Sequence, residues 1–384
     1  MKKLLSIFLA AVLVLSLCAC SKTAEITEES STTAAETAAV TAAEEPVTEA
    51  PSIEKPQRNK FYIPVISRGE SSDYWQEVQK GIGDAAEYYG VDYTYDAPET
   101  EISSFELSRL LKNKIEEYPD AVIVSPIDYD DIYPELKKFK KLDIPVIGLD
   151  STLETDETGA TVAYSGIDNY KAGQETADML LSNPEILEQL STGTVADPVH
   201  IGVLTQDAVT ESVINRVSGF ADEAYKICSN YGHTGVEGHD LWVFPCENAE
   251  IVIEIIVGES SEDKDLEYGA EVLARLDKMV GIFCTTEPCV NAYLNYASSD
   301  AEYAKNLEGM PVYGFDAGTQ QKEAIENGII LSSIGVDAYE MGYNAMKLAI
   351  KAANNEPVSS DILDYIKYDA SNINDENIQK ILFK

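Results

Sequence analysis

The 384-residue sequence predicts an α/β protein built as two doubly wound parallel-sheet lobes. Three observations lead there. Short β-rich runs alternate with segments of helical period from Phe61 to Ala353, the pattern of parallel sheets with helices on both faces. The alternation occurs as two successive runs, which fits two lobes rather than one very wide sheet. The stretch from Asn59 to Lys384 is also long enough for two lobes.

In the first run the candidate strands are Tyr62–Ile66, Val91–Tyr95, Ala121–Ser125, Pro145–Leu149 and Val162–Ser165. The helix after the first strand is the clearest. Trp75, Val78, Ile82, Ala85, Ala86 and Tyr89 share one face, Ser72 or Asp73 can cap the start, and Gly90 follows the end. Further helices are expected over 104–118 and 133–142. The second run places strands near His200–Leu204, Ile251–Val257, Val280–Phe283, Val312–Phe315 and Ile330–Ile334. Its helices fall near 169–181, 211–228, 265–278, 288–298, 318–327 and 338–353.

The N-terminus follows a different logic. Lys2 and Lys3 precede an apolar run from Leu4 to Leu17 that only Ser6 and Ser16 interrupt, a secretory signal too short to span a bilayer. The run ends in Leu17-Cys18-Ala19-Cys20, which resembles the lipobox of bacterial lipoproteins. The resemblance implies a signal peptide over 1–19 and a lipid on Cys20; an ordinary signal with a chance cysteine is the rival reading. Residues 20–58 are dominated by Ala, Thr and Glu, and 21–58 contain no aromatic residue. Such a segment buries too little apolar area to offset its ordering entropy and reads as a disordered tether. As a flexible coil it spans roughly 35 Å root-mean-square. The chain holds 28 basic and 67 acidic residues, a net charge of −39, which argues against nucleic acid and anionic lipid surfaces as partners.

In open parallel sheets the ligand site lies at the carboxyl ends of the strands. There the sequence places Ser67 to Trp75, Asp150-Ser151, Thr205-Gln206-Asp207 followed by Arg216, Cys284 to Pro288, and Asp316. Aromatic rings can cover the apolar faces of a small ligand, while carboxylates and Arg make charge-assisted hydrogen bonds to its polar groups. Tyr74 and Trp75 suit the first task, and Asp150, Asp316 and Arg216 the second. Each has a plainer role open to it. Trp75 also fits the core face of its helix, Asp150 and Asp316 could cap turns, and Arg216 could form a surface ion pair.

From about Asn59 onward the chain resembles the ribose- and galactose-type periplasmic sugar-binding proteins, which share their core with the sensor domains of lac-repressor-like regulators. Four segments carry the resemblance: Asp73-Tyr74-Trp75, Ile144 to Asp150, Gly281 to Glu287, and Val312 to Asp316. It implies a type I periplasmic-binding-protein fold with a three-stranded hinge, crossing near Gly166–Asn169, Val336–Asp337 and Val358–Ile362. The N-lobe would be 59–167 plus 337–361, and the C-lobe 168–336 plus 362–384. The implied ligand set is Ser72, Asp73, Tyr74, Trp75, Asp150, Ser151, Arg216, Thr286, Glu287, Asp316 and Asp337. The implied protein is a monomeric, extracytoplasmic lipoprotein on the outer face of the cell membrane. It would capture a small polar ligand, a carbohydrate foremost, and deliver it to an ABC permease. A sensory protein that presents its ligand to a membrane receptor would have the same cleft.

The chain departs from the family where Ser72, Ser151, Thr286-Glu287 and Val336-Asp337 replace its usual residues, and where an aromatic is missing around Ser260–Asp263. Several donors are lost while acids remain, which leaves an amine-bearing or nucleoside-like ligand as the alternative to a sugar. No enzyme is expected, and no cofactor or metal. The three histidines, His200, His233 and His239, follow no nucleophile or metal motif. One segment goes beyond the family: Ser229 to Pro245 looks like an insertion at the sheet edge, bracketed by Cys228 and Cys246. An oxidising compartment permits a bridge between them, worth roughly 3 kcal/mol in the chain-entropy model. Cys284 with Cys289 is the competing pair, and four free thiols are the other outcome.

Overall fold

The computed structural model describes residues 55–99, 101, 103–153, 156–258, 263–299 and 309–382. The expected signal, Cys20 and the tether up to residue 54 lie outside the described residues, as do Ser260 and Ser261. The last tether residues, 55–58, are held on the body. Lys55 pairs with Asp120 at 2.8 Å, and Arg58 donates to the carbonyl of Tyr118.

The first sheet takes β1 (Tyr62–Ile66), β2 (Asp92–Asp96), β3 (Val122–Val124), β4 (Val146–Asp150) and β5 (Thr161–Gly166), joined by β12 (Asp361–Ile362). Its order is β12-β5-β4-β3-β1-β2, parallel throughout. Parallel strands need helical crossovers, supplied by α1 (Asp73–Tyr89), α2 (Ser104–Glu116) and α3 (Tyr129–Lys141). With both faces covered, β3 and β4 are buried at every position.

The second sheet is ordered β13-β11-β10-β9-β6-β8-β7. Its strands are β6 (Val199–Thr205), β7 (Thr234–Glu237), β8 (Ile251–Val257), β9 (Met279–Cys284), β10 (Val312–Phe315), β11 (Ser332–Val336) and β13 (Tyr365–Asp369). The helices are α4 (Asn169–Leu181), α5 (Pro184–Leu190), α6 (Glu211–Cys228), α7 (Asp263–Arg275), α8 (Glu287–Ser299), α9 (Thr319–Glu326), α10 (Ala338–Ala353) and the short α11 (Glu376–Gln379). The chain crosses between sheets after β5, after β11 and between β12 and β13. All pairs in this sheet are parallel except β11 with β13. β13 enters after the last crossing between the sheets and runs against its neighbour β11 at the edge of an otherwise parallel sheet.

Other departures are local. Helix α3 begins at Tyr129, not at residue 133, because Asp128 caps it by accepting from the Asp130 N–H at 2.8 Å. Helix α5 was not expected, although Asn183-Pro184 supplies a cap and a first-turn proline.

Two helix pairs cross at close range. An ideal Cβ on Gly173 of α4 would lie 2.0 Å from the Arg216 carbonyl of α6, and one on Gly219 would lie 1.9 Å from the Tyr170 carbonyl. Only glycine permits this approach. Gly81 and Gly342 do the same for α1 and α10, at 2.0 and 2.2 Å. The two crossings are an internal repeat: Gly166-Ile167-Asp168-Asn169-Tyr170 starts α4 as Gly335-Val336-Asp337-Ala338-Tyr339 starts α10.

The excursion between α6 and β8 adds β7 at the sheet edge, and Phe244 then pairs back onto Val236. Its chain continues over α6, where Phe244 stacks on Tyr225 and the Trp242 indole donates to Ser218. Cys228, Cys246, Cys284 and Cys289 are all free thiols in the structure. Cys228 is buried at the end of α6, whereas Cys246 lies against Gly235 at the edge strand, held there by the pairing of Phe244. Burial pushes the Cys228 thiol to about 12 and the Cys246 thiol to about 11, so both stay protonated.

Candidate ligand-binding site

The carboxyl ends of both sheets meet at one cavity. Of the expected residues, Ser72, Tyr74, Trp75, Asp150, Arg216, Thr286, Glu287 and Asp316 line it. Ser72 caps α1 and thereby aims the first turn, so that Tyr74 and Trp75 enter the cavity. Their rings meet edge to face at 4.9 Å. Trp75 is only 1% exposed, so it serves core and cavity at once.

Asp150 is the hub. Its carboxylate accepts from the Tyr74 hydroxyl at 2.7 Å and, across the two sheets, from the Ser212 hydroxyl at 3.1 Å. Arg68 Nη2 stands 3.8 Å away. Asp150, the last residue of β4, and Asp316, directly after β10, adopt matching left-handed conformations, with φ of 67° and 68°. A non-glycine residue there is uncommon, and such strain gathers at functional sites. The surroundings impose it on Asp316, whose carbonyl accepts from the Tyr368, Ser333 and Gln321 side chains.

Arg216 is fully enclosed. It donates to Asn169 Oδ1 and to the Thr285 carbonyl, and its guanidinium lies 3.5 Å over the Phe315 ring. Burial lowers its pKa, opposed by Asp316 and Asp150. Thr286 packs its hydroxyl on Cys289 at the start of α8. The carboxylates are crowded. Burial, then Asp316 and Asp73, push Glu287 up to about 7. Burial pushes Asp316 to about 6 against the pull of Arg216 and the Glu287 N–H. Burial and Asp150 hold the Tyr74 phenol well above its ordinary range.

The two sheets are shut over this cavity by direct hydrogen bonds. The Tyr74 N–H donates to Glu287 at 3.3 Å, and the Thr319 N–H and hydroxyl donate to Asp73 at 3.0 and 2.8 Å. On the other flank Glu211 accepts from the Thr152 hydroxyl at 2.6 Å and from the Leu153 N–H at 3.0 Å.

Three expected residues stand elsewhere. Asp73 belongs to the rim clasp just described. Ser151 lies behind the cavity, bonded to Ser212 at 3.2 Å. Asp337 caps α10 through the Glu340 N–H, so helix capping rather than the cleft claims its carboxylate. Four residues absent from the expected set also bear on the site. Arg68, Glu101 and Gln206 line the cavity, and Asn169 holds Arg216. Arg68 and Gln206 sit at strand ends that the sequence points to without ranking their side chains. Asn169 carried no such signal, since the α4/α10 repeat sets it against Ala338.

No group of three or more His, Cys, Asp or Glu among the described residues is placed to hold a metal ion. His200 pairs with Glu254 within the second sheet, and His239 caps a short turn.

Comparison with known proteins supplies the context. The profile of the periplasmic binding protein domain matches residues 63–357. A solved structure from Brachyspira murdochii, described as an ABC transporter, LacI family transcriptional regulator, is 28% identical with a TM-score of 0.68, covering 85% of this chain and 99% of that one. An ABC transporter solute-binding protein from Agrobacterium vitis with bound D-fucose is 23% identical with a TM-score of 0.70, covering 84% and 100%. A carbohydrate transporter solute-binding protein from Agrobacterium radiobacter, in complex with D-arabinose, is 20% identical with a TM-score of 0.68, covering 85% and 100%. No curated protein matches this chain. The two-sheet body with its cleft at the strand ends is the type I fold of these structures, and since the profile spans well over half of the sequence, the chain belongs to the periplasmic binding protein domain family.

Proposed function

We propose that the protein is an extracytoplasmic solute-binding lipoprotein that closes on a small sugar and delivers it to an ABC permease. The observation that carries the reading is the cavity itself: Tyr74 and Trp75 supply aromatic surface, and Asp150, Asp316 and Glu287 supply acceptors, drawn from both sheets. A polyhydroxylated ring needs that combination. The D-fucose and D-arabinose held by the two Agrobacterium proteins support the class of ligand. The signal-like start ending in Cys20 supports export and a lipid anchor, with the Ala/Thr/Glu-rich segment as spacer. No helix among the described residues is long and apolar enough to cross a membrane.

Calorimetry of the purified protein against pentoses, hexoses, polyols, nucleosides and amino acids tests the reading. A sugar is expected to bind at one site, and Asp150→Ala to weaken it by about 1.5–3 kcal/mol through loss of a charged acceptor. Saturable binding of a nucleoside or an amino acid with no response to any sugar would overturn it.

A further inference from the structure

Closing the two sheets over the cavity gathers acids from both. The first brings Asp73 on α1, Glu101 after β2 and Asp150 at the end of β4; the second brings Glu287, which opens α8, and Asp316 after β10. Two cations line the same cavity, and both are engaged. Arg68 Nη2 faces Asp150 at 3.8 Å, while Arg216 donates to Asn169 and to the Thr285 carbonyl.

Glu287 sits where the sheets touch. Its Oε2 accepts from the Tyr74 N–H of α1 at 3.3 Å, and its own N–H donates to Asp316 Oδ2 at 3.2 Å. Asp73, one residue before Tyr74, is tied to Thr319 just beyond Asp316. Oε1 is pressed against Gly318, where an ideal Cβ would lie 2.6 Å away. The free N–H groups at the start of α8 favour a charged carboxylate, but burial and the facing acids Asp316, Asp73 and Glu101 oppose it. A protonated carboxyl donates as well as accepts, so a single proton turns one of these repulsions into a hydrogen bond. A hinge rotation that parts the sheets takes Asp73, Tyr74 and Glu101 away from Glu287 and admits water.

We propose that closure of the lobes takes up a proton, held by Glu287 against Asp73 and Asp316, so that rising pH favours the open form. Burial, then Asp316 and Asp73, place Glu287 at about 7 in the closed form against an ordinary 4.5. A proton held more tightly in the closed form stabilises that form in acid, and the effect is lost as pH rises through about 7. With the open form at 4.5, the closed-to-open ratio falls roughly 30-fold between pH 5.5 and pH 8. Asp316 faces Asp150 and Arg68 across the cleft, whose charges act on it in opposite directions, so Glu287 carries the effect.

Acrylamide quenching of tryptophan fluorescence in the purified full-length protein, with no ligand added, reads the cleft. The chain has two tryptophans. Trp75 lines the cavity and is 1% exposed, whereas Trp242 lies on the excursion over α6, so a Trp242→Phe background leaves Trp75 as the reporter. Quenching is expected to rise from pH 5.5 to pH 8 at constant far-UV ellipticity, and Glu287→Gln should flatten the profile. Asp73→Asn, on the opposite lobe, should move the midpoint to lower pH, and it decides should Glu287→Gln not fold. A flat profile in the wild type, an identical profile in Glu287→Gln or an unmoved midpoint in Asp73→Asn would overturn the proposal. So would quenching that rises only as ellipticity is lost, which reports unfolding. No sugar enters the experiment, so each of these results leaves the sugar-binding reading standing.

Discussion

Replacing Glu287 by Gln isolates the effect of a buried carboxylate on stability. Glu287 opens α8, a position that ordinarily favours a negative charge through the free N–H groups of the first turn. Burial and the neighbouring Asp316 and Asp73 outweigh that, and the group titrates at about 7 in the folded protein against an ordinary 4.5. A folded-state value above the unfolded one contributes stability that is fully present below about 4.5 and lost as pH rises through about 7. At 1.36 kcal/mol per pH unit, this contribution falls by ~2.5 kcal/mol between pH 5 and pH 8. The Gln variant cannot titrate, and its amide oxygen still accepts from the Tyr74 N–H. Asp316, at about 6, acts with the same sign in both proteins and cancels in their difference to first order. Urea unfolding followed by Trp75 and Trp242 fluorescence gives both stabilities across this range. The stability of Glu287→Gln minus that of the wild type should rise by ~2.5 kcal/mol from pH 5 to pH 8. A difference that stays flat, or that rises toward pH 5, would show that Glu287 is solvated and the crowding argument wrong.

Two further predictions address closure and anchoring. Glu211→Ala removes both hydrogen bonds that catch the Thr152–Leu153 segment, so the closed form should lose about 1.5–3 kcal/mol. Calorimetry should register this as weaker binding of every sugar without a change in preference; undiminished affinity would mean the clasp does not support closure. Cys20→Ser should release the protein from the membrane fraction or leave an uncleaved precursor, and unchanged lipid labelling of that variant would eliminate Cys20 as the anchor.

Strand and helix order were legible because burial is written locally, as runs such as Ile251–Val257 and as the apolar face of α1. Strand polarity then placed the site at the carboxyl ends, and Asp150 and Asp316 could be read directly since one ends β4 and the other directly follows β10. The partners of those residues could not be read. Asp73 meets Thr319 and Glu211 meets Thr152 only when two sheets close, and nothing in the local pattern records a contact between segments so far apart in sequence. Asp337 and Asn169 occupy neighbouring positions in the helix-start repeat, yet one caps α10 while the other holds Arg216. The antiparallel β13, the free thiols at Cys228 and Cys246 and the two Arg68 nitrogens, Nε and Nη1, that make no hydrogen bond have the same origin. A side chain's valences are set by what the closed fold leaves beside it, and composition and period carry no term for that.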